Sequence, residues 1–108
     1  MSTWIKICAL EDIVPGTGVC ALLNGEQVAV FRPRANAEVF AISNCDPFAK
    51  SNVLSRGLIA EHKDELWVAS PLKKQRFNLR DGRCMEDEAF SVRAYAARVS
   101  DGQVELQA

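Results

Sequence analysis

The sequence predicts an all-β domain. Three features carry that expectation: short apolar runs that alternate with period two, turn dipeptides punctuating them, and no sustained helical period. Trp4-Ile5-Lys6-Ile7-Cys8 alternates as a strand with one buried face should. Pro15-Gly16-Thr17-Gly18 marks a loop before a strand at Val19–Leu23. Asn24-Gly25 is a tight hairpin turn into Gln27–Phe31, because both of its positions tolerate positive φ. Val39–Ser43 is the next strand, followed by a stretch near Asp46–Leu54 with room for one short helical turn. Leu58–Ala60 and Leu66–Ala69 flank a charged turn around His62, and Arg76–Leu79 precedes an Asp81-Gly82 turn. Tyr95, Ala97 and Val99 fall on one strand face, and Asp101-Gly102 returns the chain so that Val104 and Leu106 cover the same core. The expected architecture is a single domain over residues 1–108, a β-sandwich or partly open barrel, with residues 43–82 as a smaller subdomain.

Composition limits the functional classes. A chain of 108 residues, 48% hydrophobic, can bury about two-thirds of its unfolded surface. A formal net charge of −1 gives no electrostatic reason to expect nucleic acid or an acidic membrane as partner. No apolar run reaches the length of a membrane span. Met1-Ser2-Thr3-Trp4 opens directly into strand-like sequence rather than a signal peptide, so a cytoplasmic location is expected. Cys8, Cys20, Cys45 and Cys84 form no Cys-x-x-Cys pair and have no neighbouring histidine, which argues against zinc. Cys8 and Cys20 lie in strand-like runs and are expected to be small buried hydrophobes. His62, the single histidine, lies among charged residues and has no nucleophile or acid to work with, and no glycine-rich phosphate loop is present. No catalytic, cofactor-binding or metal-ligating residue is expected in this chain.

Two loops carry the functional information. The first is Ser43-Asn44-Cys45-Asp46-Pro47-Phe48, and the second is Ser70-Pro71-Leu72-Lys73-Lys74-Gln75-Arg76-Phe77. Each resembles a Rieske loop, Cys-Pro-His in the first and Cys-Pro-x-His in the second, with the prolines kept as Pro47 and Pro71. In that register Asp46 and Ser70 stand where the two cysteines belong, and Phe48 and Lys73 where the two histidines belong. A Rieske cluster needs two thiolates on one iron and two imidazoles on the other, and these four residues supply neither.

With the flanks Val53-Leu54-Ser55-Arg56-Gly57, Val68-Ala69-Ser70-Pro71-Leu72 and Phe77-Asn78-Leu79-Arg80-Asp81-Gly82-Arg83-Cys84, the chain resembles the small subunits of bacterial assimilatory NAD(P)H-dependent nitrite reductases. Those are Rieske-like domains lacking the cluster ligands. The resemblance implies a Rieske-like sandwich in which residues 43–82 are a vestigial cluster-binding subdomain. It also implies a role in nitrate and nitrite assimilation, with a large-subunit partner carrying FAD, an iron–sulfur cluster and sirohaem. This chain would support that partner without chemistry of its own.

Two expectations follow for the loops. Asp46 and Lys73, opposite in charge at former ligand positions, are expected to pair or share a water while Phe48 packs into the vacated space. Lys73, Lys74, Arg76, Arg80 and Arg83 form a basic stretch followed by Glu86, Asp87 and Glu88, a candidate docking surface for the partner. Two other readings stay open: a ligandless binding module for a different oxidoreductase, and a Rieske-type ferredoxin that recruits Cys45, Cys84 and His62 from outside the register.

Overall fold

The computed structural model describes residues 3–107, so Met1 and Ser2 of the opening tetrapeptide, and Ala108, lie outside the described residues. Strand β1 (Trp4–Ala9) leads through a single 3₁₀ turn to β2 (Thr17–Leu23) and β3 (Glu26–Arg32). Asn24 (φ 50°) and Gly25 (φ 81°) are both left-handed between β2 and β3, the geometry of a twisted two-residue hairpin. Next come β4 (Phe40–Ser43), the short β5 (Cys45–Asp46) and β6 (Ser51–Asn52), and a 3₁₀ turn at Leu54–Arg56. The hairpin β7 (Leu58–His62) and β8 (Glu65–Ala69) is extended by β9 (Arg76–Asn78). A 3₁₀ turn at Glu88–Phe90 precedes β10 (Ala94–Tyr95), β11 (Ala97–Ser100) and β12 (Gln103–Gln107).

All named strand pairs are antiparallel. The sheets run β1-β12-β11, β10-β4-β3-β2, β5-β6 and β7-β8-β9, and none closes on itself. Among the described residues the molecule is all-β with open sheets that do not close into a barrel.

The central strand β3 explains how one small domain carries two cores. Val28-Ala29-Val30-Phe31 is a continuous apolar run, as expected of a strand buried on both faces. Val28 and Val30 join Leu10, Ile13, Val104 and Leu106 on one side. Ala29 and Phe31 join Ile42, Leu54, Val68 and Phe77 on the other. Beneath the 3₁₀ turn at Leu54–Arg56, Gly57 lies so close to the Ala69 carbonyl and the Val68 side chain that a Cβ there would collide with both.

Three expectations are corrected. His62 is the last residue of β7, exposed and paired with Glu65; the turn proper is Lys63-Asp64, with φ of 51° and 64°. Cys20 is exposed on the outward face of β2 instead of buried. Tyr95, Ala97 and Val99 all pack on the first core but do not share one strand. The chain changes sheet at Ala96, so that Tyr95 pairs with Ala41 and Ala97 with Leu106.

Candidate functional site

The first loop is organised by Asp46 at the end of β5. Pro47 has no N–H, and the Asp46 Oδ1 accepts from the next two amides, Phe48 at 2.8 Å and Ala49 at 3.3 Å. The Lys50 amide closes the turn by donating to the Asp46 carbonyl at 2.7 Å. The second loop closes on Ser70, whose amide donates to the Gln75 carbonyl at 2.9 Å while its carbonyl accepts from Lys74 at 3.0 Å.

A buried side-chain hydrogen bond joins the two loops: the Ser70 hydroxyl donates to Oδ2 of Asp46. The same hydroxyl accepts from the Leu72 amide at 3.3 Å. Asp46 is 0% exposed and Ser70 2%, so the clasp is shielded from water. Both groups are satisfied, as buried polar groups must be if the fold is to tolerate them.

The expected Asp46–Lys73 pair does not form. Lys73 is exposed and makes no ion pair among the described residues. Bringing an ammonium group into the buried Asp46 site costs far more desolvation than a short neutral hydroxyl, which already provides the donor. Phe48 is half-buried, its ring tilted against Phe77 at 6.4 Å and stacked on Phe90 at 4.6 Å.

These residues do not suit a two-iron cluster. The Asp46 carboxylate accepts from three donors and the Ser70 hydroxyl is committed to it. Phe48 has no lone pair, and the Lys73 ammonium group repels a cation. The Cys45 sulfur lies 3.8 Å from the Asp46 carbonyl oxygen, and among the described residues no group of three or more His, Cys, Asp or Glu side chains could hold a metal ion.

The basic stretch behind the second loop is divided. Arg76 makes a salt bridge to Glu86 at 2.7 Å, and its amide donates to the same carboxylate at 2.8 Å. Burial pushes the Glu86 carboxyl up, but the Arg76 amide, side chain and charge outweigh it and hold its pKa below the usual 4.5. Arg83 pairs with Glu65 at 3.0 Å and Asp81 at 3.1 Å and lies over the Trp67 ring. Arg80 lies over the Phe40 ring at 5.3 Å. Lys73 and Lys74, by contrast, have no carboxylate within ion-pair distance among the described residues. Of the acidic run, Glu86 serves Arg76, and Asp87 caps the Ala89 amide at 3.1 Å.

Sequence reasoning missed two supporting residues. Asn44 is buried; its Oδ1 accepts from the Ser55 amide at 2.7 Å and its Nδ2 donates to Gln27 at 3.1 Å, tying the first loop to the Leu54–Arg56 turn. Phe90 provides the stacking partner for Phe48, and a lone aromatic in an acidic run was its signal.

Comparison with known proteins agrees with this geometry. The profile of the Rieske-like [2Fe-2S] domain family matches residues 3–107. The chain is 69% identical over 107 residues to the nitrite reductase (NADH) small subunit of Escherichia coli, covering 99% of each chain. Its backbone superposes on the solution structure of the E. coli protein NirD with a TM-score of 0.93, at 68% identity, covering 100% of this chain and 98% of that one. A region of the nitrite reductase [NAD(P)H] large subunit of Klebsiella oxytoca is also 42% identical over 101 residues, covering 94% of this chain and 10% of that protein.

Proposed function

The chain belongs to the Rieske-like domain family, and we propose that it serves as the small subunit of an NAD(P)H-dependent nitrite reductase, acting with a large subunit that reduces nitrite to ammonium. The observation that carries this is the Klebsiella oxytoca large subunit, which contains a version of this domain within its own chain. A domain that occurs joined to a catalytic chain in one protein and separate in another has its natural partner in that chain. Full-length likeness to small subunits bearing the same name supports the same pairing.

Redox chemistry belongs to the partner, which carries FAD, an iron–sulfur cluster and sirohaem. This chain contributes a rigid shape: its loops are closed by Asp46 and Ser70, and it has no catalytic activity alone. The docking face is the second loop and its flank, Lys73, Lys74, Arg76, Arg80 and Arg83. The complex works in the cytoplasm, in keeping with the lack of a helix long and apolar enough to cross a membrane among the described residues.

The test is to purify the tagged chain from its host grown on nitrite and record the absorption spectrum. Flavin and sirohaem bands co-eluting with a large chain are expected. A colourless chain eluting alone while the large subunit is expressed overturns the reading.

A further inference from the structure

We infer that the large subunit seats on an apolar patch at the loop-bearing end, formed by Phe48, Leu72 and Phe90 and rimmed by Lys50, Lys73 and Lys74. This rests on the reading that the large subunit is the partner, and it narrows the docking face to one part of the second-loop region.

Exposed apolar side chains are not spread evenly. The large ones among the described residues are Val14, Leu22, Leu58, Leu72 and Phe90. Scattered single residues of this kind are ordinary on a protein surface and need no explanation. Leu72 and Phe90, however, lie on turns that are linked through the Asp46–Ser70 clasp and Phe48. The Leu72 amide bonds the Ser70 hydroxyl, which bonds Asp46, whose carboxylate also holds the Phe48 amide. Phe90 then stacks on the Phe48 ring. Leu58 is the cross-strand neighbour of Ala69, one residue before the clasp.

The patch is rigidly presented. Phe90 remains 42% exposed and Leu72 56%, yet both sit on fastened turns. The Phe90 turn is capped by Asp87, and the Ser91 hydroxyl donates to the Glu88 carbonyl at 2.8 Å. An aromatic held in place before binding loses little freedom when it docks, which favours it as an anchor.

Charge defines the other side of the contact. Arg76 and Arg83 spend their guanidinium groups on Glu86, Glu65 and Asp81. Lys50, Lys73 and Lys74 have no such partner among the described residues. The Lys50, Lys73 and Lys74 side of the patch suits carboxylates on the large subunit. Arg76 and Arg83 thus have their charge balanced within the chain and contribute less to the contact than the lysines.

The experiment measures the affinity of the purified chain for its purified, cofactor-loaded large subunit. The variants are L72D, F90D and K73E/K74E, with L22D as a control on the outward face of β2. Amide spectra confirm that each is folded, and L72S replaces L72D if the aspartate disturbs the loop. The expected result is a loss of about tenfold or more for L72D and F90D, a level typical of an anchor position. K73E/K74E should bind more weakly and with a flatter salt dependence, and L22D should bind as the parent. Tip variants that bind like the parent, or a loss confined to L22D, overturn the patch while leaving the partnership intact. A parent chain that does not bind overturns the partnership and the patch together.

Discussion

The two halves of this domain bury their polar groups differently. Around the first core, formed by β1, β11 and β12 against β2, β3 and β4, the buried side chains are apolar, with Arg32 at the margin donating to the Leu10, Ile13, Ala35 and Asn36 carbonyls. The loop-bearing half holds Asn44, Asp46, Ser70 and Asn78, all buried and all bonding backbone amides or one another. The reason is physical. Paired strands satisfy their own amides and carbonyls, whereas buried loops must be satisfied by side chains. Where a metal cluster would crosslink two such loops, a hydrogen-bonded pair of short side chains does so here.

The sharpest way to break this comparison is to damage the loop-bearing half alone. Leu54 is fully buried under the first loop, and its amide donates to the Asn44 carbonyl at 3.0 Å. Leu54→Ala should cost about 2–5 kcal/mol of unfolding free energy in urea titrations. Hydrogen exchange should accelerate mainly within residues 44–57 and 70–79. Equal acceleration in β1 and β12 would mean that the halves are not separable.

The clasp comes next. Asp46→Ala strands two amides and a hydroxyl in a buried site and should cost about 2–3 kcal/mol, and Ser70→Ala about 1 kcal/mol. Asp46→Asn retains an acceptor for the loop amides and should cost less than Asp46→Ala. If Lys73→Ala costs more than Ser70→Ala, charge pairing and not the buried hydroxyl joins the loops.

The smallest effect concerns the Arg76–Glu86 pair on the outside. Glu86 is held below its usual pKa, so its contribution is present at neutral pH and fades as pH falls through that depressed value. The pair is partly exposed, and Glu86→Gln should cost under about 1 kcal/mol at pH 7. The difference between variant and parent should vanish in acid; a difference that grows there would contradict the assignment.

Much of the fold was legible because its signals are local. Period-two alternation located the framework strands, and Asn24-Gly25 and Asp101-Gly102 marked their hairpins through positive φ. The loop register was legible too, since Pro47 and Pro71 preserve the spacing around Asp46 and Ser70. What escaped depends on distance in sequence. Asp46 and Ser70 are 24 residues apart, and only their shared burial selects the hydroxyl over the more obvious charge of Lys73. The sheet change at Ala96 has no local mark, because Tyr95 and Val99 keep the same inward period across it. Phe90 lies just past the acidic run Glu86–Glu88, and only the stack on Phe48 reveals its place.

That side chains and not iron close the loop end is tested most directly by melting the purified chain with and without a strong chelator. Parallel samples should be taken through anaerobic reconstitution with iron and sulfide. The expected result is an unchanged Tm in all samples and no stoichiometric iron or acid-labile sulfide, with Ser70→Ala alone lowering the Tm. A chelator-dependent fall in Tm, or two irons retained per chain, would contradict it.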